Sequence, residues 1–166
     1  MGVLDNIKRM LVKYGITVEE TVQNLIVLYT FYKGGEIGYI QMSKSTEMME
    51  EEIPVIRVMN IFVEERYRGM GYSKLMIVYG IYMFRKEYPE IQFSALDDDS
   101  DAATTPCNNL YWKCGYVPKD TYLKENIMIP YTFPKYLRQT QCEMILDFDS
   151  VMHKDFIDTL YYGIRS

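Results

Sequence analysis

Apolar residues crowd most densely into Ile53–Val63, where Ile, Val, Met and Phe are interrupted only by Pro54, Arg57 and Asn60. Such a run predicts a buried strand, and Pro54 is tolerable because the first residues of a strand can spare a ladder donor. From Tyr72 to Lys86 the spacing turns helical, with Leu75, Met76, Tyr79, Tyr82 and Met83 recurring and no proline inside; Lys86-Glu87-Tyr88-Pro89 ends the helix. Ile91–Leu96 is a second, shorter apolar run. Strand, helix and strand in this order predict two parallel neighbours joined by a right-handed crossover. Upstream, Leu25–Tyr32 and Glu36–Met42 flank Lys33-Gly34-Gly35 and predict a hairpin. Downstream, Gln141–Phe148 predicts a strand with Cys142, Met144, Leu146 and Phe148 on one face, and Met152–Tyr162 an amphipathic helix.

Weaker signals fill the gaps. Thr104 or Thr105 followed by Pro106 starts a short helix, which runs Cys107–Cys114 and is closed by Gly115. Residues 1–23 carry two readings: a short helix with Leu4, Ile7, Leu11 and Tyr14 on one face, or Val18–Val22 continuing into the next strand. Ser43–Glu52, rich in Glu, reads as a solvated loop, with an electrostatic rim for a cationic acceptor as its alternative. The stretch from Val117-Pro118 to Tyr136-Leu137 reads as irregular or partly stranded. Asp97-Asp98-Asp99-Ser100-Asp101 lacks the glycine turn and distal glutamate of a calcium loop, so it reads as solvated and no metal site is expected.

Composition narrows the class. At 166 residues, 48% hydrophobic and 25% charged, the chain reads as one ordinary globular domain, 1–166. A net charge of −5 argues against a nucleic-acid footprint and for a cationic small molecule or peptide as partner. With no apolar run near a membrane span, no signal-peptide pattern and three cysteines without metal spacing, a cytoplasmic protein without membrane contact is expected. The aromatic-rich composition is compatible with a homodimer.

Candidate chemistry sits between the predicted strand and helix, at Val63-Glu64-Glu65-Arg66-Tyr67-Arg68-Gly69-Met70-Gly71-Tyr72-Ser73. A strand feeding a two-glycine turn that opens a helix builds an anion site: the glycines let the backbone come close, and first-turn amides point at the ligand. Arg66 and Arg68 add permanent positive charge. Lys74 stands where a dinucleotide fingerprint needs a small residue, and the Gly-Lys-Ser/Thr ending of a nucleotide-triphosphate loop is missing.

What remains, Arg66-x-x-Gly69-x-Gly71 followed by Leu75-Met76, resembles the acyl-CoA loop of the GNAT (GCN5-related) N-acetyltransferases. Leu110-Tyr111-Trp112-Lys113-Cys114-Gly115-Tyr116 looks like the same family's Leu-Tyr-x-x-x-Gly-Phe segment, with Tyr116 as the aromatic. The resemblance spans roughly residues 24–148, with an abbreviated or rearranged N-terminal part and a tail helix at 152–162 as an addition. It implies an α/β (α+β) fold: a mixed, mostly antiparallel sheet around a central strand-helix-strand unit, a splayed parallel strand pair, and helices on both faces. It also implies acetyl-CoA as cosubstrate, with Arg66, Arg68, Gly69, Met70, Gly71, Tyr72 and Ser73 around the pyrophosphate. Ile61, Phe62 and Val63 would pair with the pantetheine amides, Thr104 would contact the donor, and Tyr111 would give a proton to the leaving thiolate. The implied activity is acetyl transfer to a primary amine by direct attack on the thioester; the alternative is a silent module binding CoA or a protein partner. Ile53–Val63 has no carboxylate to serve as base, so Glu143, Asp147, a water or desolvation of the amine would take that part. His153, the lone histidine, is expected at the surface.

Overall fold

A computed structural model of the chain describes residues 2–48, 51–98, 110–119 and 142–160. Four helices, α1 Val3–Lys13, α2 Tyr72–Glu87, α3 Leu110–Cys114 and α4 Val151–Leu160, accompany seven strands among the described residues. The strands are β1 Thr17–Gln23, β2 Ile26–Tyr32, β3 Glu36–Met48, β4 Glu52–Val63, β5 Phe93–Asp98, β6 Val117–Pro118 and β7 Cys142–Asp147. They are hydrogen-bonded neighbours in the order β1-β2-β3-β4-β5-β7-β6. Only β4 and β5 are described as a parallel pair, as expected for strands joined through a helix. The chain divides into two compact units.

The first unit holds Met1–Lys44, Val58–Glu90 and Thr159–Ser166. The helical reading of the N-terminal stretch holds in α1, which buries Ile7, Met10 and Leu11. Val18–Val22, by contrast, does not run on into the next strand but forms β1, turned back at Asn24 to pair antiparallel with β2. α2 is apolar on nearly every side. Tyr72, Phe84 and all seven residues from Leu75 to Ile81 are buried, as befits a helix enclosed by the core rather than lying on it. The Tyr79 ring stands edge-on to Tyr29 and Phe31, each 5.4 Å away between centroids. At Gly80 the helix comes so close to β3 that a Cβ would lie 2.9 Å from the Met42 side chain.

The second unit holds Ser45–Arg57 and Ile91–Asp158. Here β4 and β5 pair over Val55↔Phe93, Ile56↔Ser94 and Arg57↔Ala95 only, although β4 runs on to Val63. β5 is held along its whole length by β7. Three expectations are corrected. Ser43–Met48 belongs to a strand rather than a loop: β3 runs through to Met48, with Glu47 partnered by Arg57 and Lys119, and β4 starts at Glu52. Asp97 and Asp98 close β5 opposite Glu143 and Cys142, with Asp98 buried. His153 is 1% exposed rather than superficial. Its Nδ1 lies 2.8 Å from the Cys114 carbonyl and therefore carries the proton, while its ring sits between Phe148 and Phe156.

Candidate functional site

The glycine turn is built as its residue types require. After β4 the chain makes one 3-10 turn, Glu65–Tyr67, and then passes through two left-handed glycines, Gly69 at φ +78° and Gly71 at φ +89°. Any residue with a Cβ is strained there. Gly71 is the N-cap of α2 and has no side chain to cap it. The first-turn amides of Tyr72, Ser73 and Lys74 therefore keep the positive end of the helix open to an external acceptor.

Tertiary structure brings in a residue that local reading missed. Lys33, in the β2–β3 hairpin turn, places its Nζ 3.3 Å from the Tyr72 hydroxyl, thirty-nine positions away. Tyr67 donates its hydroxyl to the Lys33 carbonyl at 3.1 Å and stands edge-on to Tyr72. Arg66 lies over the Tyr67 ring at 4.8 Å, its guanidinium so near Gly35 that a Cβ there would be 2.7 Å from Nη2. Arg68 donates Nε–H to the Val63 carbonyl at 2.9 Å and lies over Phe62. Lys33 thus reaches the first residue of α2, Arg66 lies beside the same hairpin turn, and Arg68 is held against the end of β4. The only sequence signal for Lys33 was its place beside the two hairpin glycines.

The other candidates are distributed as follows. Ile61 and Phe62 are half-buried and Val63 buried at the end of β4; the Glu64 amide bonds the Ile37 carbonyl at 2.7 Å and anchors that end to β3. Met70 and Ser73 are half-buried, and Tyr72 is 2% exposed, so its backbone and not its ring is offered to a ligand. Thr104 lies outside the described residues. Tyr111 is half-buried on α3, its ring centroid 6.2 Å from that of Tyr116. The two tyrosines differ in kind. Tyr116 is fully buried, and since Ser94 donates its one proton to the Ile56 carbonyl, Tyr116 donates to Ser94 Oγ at 2.8 Å. Burial pushes the Tyr116 phenol far up, the Ser94 bond opposing it only in part. It is a strut.

Of the carboxylates considered as base, Asp147 accepts from Gln92 Nε2 at 2.7 Å and from the Asp149 amide at 2.9 Å, as a turn residue does. Glu143 is 60% exposed and lies 3.7 Å from Lys119. Sequence reading missed the half-buried network around Arg57, which bonds Glu47 at 2.6 Å and Asp97 at 2.9 Å. Lys119 closes it at 2.8 Å from Glu47, whose bond raises the lysine pKa against the opposing effect of burial. One Asp97 oxygen, Oδ1, is buried there with no hydrogen-bond partner among the described residues. Its signal was absent from the sequence because each residue sits on a different element.

No protein-family model matches the sequence, and no curated protein does. Solved structures do. An acetyltransferase from Bacillus subtilis in complex with CoA matches at TM-score 0.53 and 15% identity, over 80% of this chain and 98% of that one. A Bacillus anthracis protein described as a streptothricin acetyltransferase, in complex with acetyl-CoA, matches at 0.50 and 22%, over 79% and 70%. The toxin AtaT bound to the C-terminus of its antitoxin AtaR and acetyl-CoA matches at 0.54 and 9%, over 89% and 98%. At these identities the likeness is one of fold: the chain has the GNAT acetyltransferase fold, a mixed and mostly antiparallel sheet with a central strand-helix-strand unit. The expectation of partners other than nucleic acid is corrected. AtaT is also seen with acetyl-methionyl-tRNAfMet, and another match is a KacTA–DNA complex, so the fold is found in complexes with RNA, DNA and protein. Net charge does not exclude such a partner, because a nucleic acid is bound by a local surface and not by the average of the chain. No described helix is long and apolar enough to cross a membrane.

Proposed function

We propose that the chain is an acetyl-CoA-dependent N-acetyltransferase acting on a primary amine. The observation that carries this reading is the uncapped N-terminus of α2 behind two left-handed glycines, with Lys33 at its first residue and Arg66 and Arg68 in the turn that leads to it. In this reading the amides of Gly69, Met70, Gly71 and Tyr72, with Ser73 beside them, hold the pyrophosphate of acetyl-CoA. The backbone of Ile61, Phe62 and Val63, beyond the last β4–β5 pair, takes the pantetheine amides. The amine nitrogen attacks the thioester carbonyl, the C–N bond forms as the C–S bond breaks, and the amine's proton is lost to a base. Tyr111 gives its phenolic proton to the departing thiolate, and Thr104 contacts the donor. Small cations and peptides belong among the acceptors to be screened. So does the α-amine of an aminoacylated RNA, given the complex of AtaT with acetyl-methionyl-tRNAfMet.

Calorimetric titration with acetyl-CoA and with CoA tests the loop, with micromolar binding expected, about −8 kcal/mol. Gly71→Trp should abolish that binding by filling the turn. Tyr111→Phe should lower acetylation about a hundredfold while leaving CoA affinity unchanged; an unaltered rate removes Tyr111 from the mechanism. Silence of the unmodified protein at millimolar ligand would defeat the whole reading.

A further inference from the structure

α2 carries the glycine turn at one end and a second feature at the other, sixteen residues or about 24 Å away. There, within the first unit, lies a cavity of about 550 Å³. Its floor is one face of the β1–β2 ladder, where the cross-strand pairs Glu20↔Tyr29 and Val22↔Val27 stand together because residues two apart share a face. Its wall is the last turn of α2 and the residue after it, with Phe84, Glu87 and Tyr88. The size is that of a small-molecule site. Val22 and nearby Leu25 remain 60% and 77% exposed, so apolar surface is left open to solvent at its rim.

Two carboxylates, Glu20 and Glu87, line the cavity together with two lysines. Among the described residues neither Glu20 nor Glu87 is in an ion pair. The lysines are Lys44 and Lys86, and Lys44 lies along the Tyr88 wall of the cavity. Its ammonium lies 4.7 Å from the centroid of the Tyr88 ring and 3.9 Å from Glu90. The protein's own cation therefore occupies the kind of aromatic face that recognises ammonium groups. At the floor burial, and after it the nearby Glu20, Tyr79 and Glu87, push the Tyr29 phenol far up.

We infer that this cavity binds a small organic ammonium with an apolar body, its charge toward Glu20, Glu87 and the Tyr88 ring, its body on Val22, Val27 and Phe84. The site is separate from the CoA loop and stands or falls independently of the proposed acetyl transfer. Benzyltrimethylammonium tests it, since it has no N–H and cannot be an acetyl acceptor; neutral benzyl alcohol is the control. Calorimetry on the full chain should show saturable, sub-millimolar binding of the cation and binding of the alcohol about tenfold weaker. The double variant Glu20→Gln, Glu87→Gln should weaken cation binding about tenfold without changing CoA affinity. Lys44→Met should tighten it several-fold by removing the resident cation from Tyr88. Absence of saturation at millimolar probe, equal binding of the alcohol, or indifference to either variant overturns the site. The probe is read without CoA, so a failed CoA titration leaves this result standing.

Discussion

Gly38 and Gly71 show how much a single position can decide. A Cβ on Gly38 would overlap the Phe62 carbonyl oxygen, backbone against backbone, where no rotamer can relieve it. Gly38→Ala is therefore expected to destabilise by about 2 kcal/mol or more, read as a lowered midpoint in denaturant unfolding. Gly71→Ala meets strain of about 1 kcal/mol from the left-handed backbone at φ +89°. It should lower CoA affinity more than stability, because the turn that presents the amides is what shifts. The left-handed turn at Gly71 was legible in the sequence, since a glycine just before a helical pattern has few explanations. That of Gly38 was not: its neighbour Phe62 is twenty-four positions away and only strand pairing brings them together.

Among elements, the strands β3, β4 and β5 depend on Arg57 more than its isolated charge suggests. Its guanidinium holds Glu47 of β3 and Asp97 of β5, both partly shielded from water. Arg57→Ala leaves two carboxylates facing the gap, and should cost about 2 kcal/mol of unfolding free energy. Adding Glu47→Gln should recover part of that loss, the signature of a coupled pair in a double-mutant cycle. The hydrophobic pattern specified β4 and α2 well, because a long uniform run and a long helical repeat leave few alternatives. It misread Ser43–Met48, since polar residues in a strand announce themselves only through partners on other strands.

For the whole molecule, pH gives a test with a definite sign. Tyr29 and Tyr116 are raised by burial, and Lys119 by its bond to Glu47. A group raised in the folded state stabilises fully below its unfolded pKa, about 10 for Tyr and 10.4 for Lys, and loses that contribution as pH rises towards the folded value. Stability should therefore fall as pH climbs above about 10. Phenolate absorbance should show these two tyrosines ionising only together with unfolding; their titration in the folded state at ordinary pH would contradict the burial.

The sequence by itself determined the strand-turn-helix at Ile53–Lys86 and the hairpin at Lys33-Gly34-Gly35, while the GNAT-like architecture came through the resemblance of two short motifs. These are local matters: hydrophobic period, glycine at left-handed backbone and uncapped amides are all written within a few residues. Tertiary structure alone decided that Lys33 joins the loop, that Arg57 is clamped by Glu47 and Asp97, that His153 is buried beneath Phe148 and Phe156, and that a cavity opens at the far end of α2. Each of these depends on side chains from separate strands and helices meeting. Such meetings are set by packing across the sheet, which no run of neighbouring residues encodes.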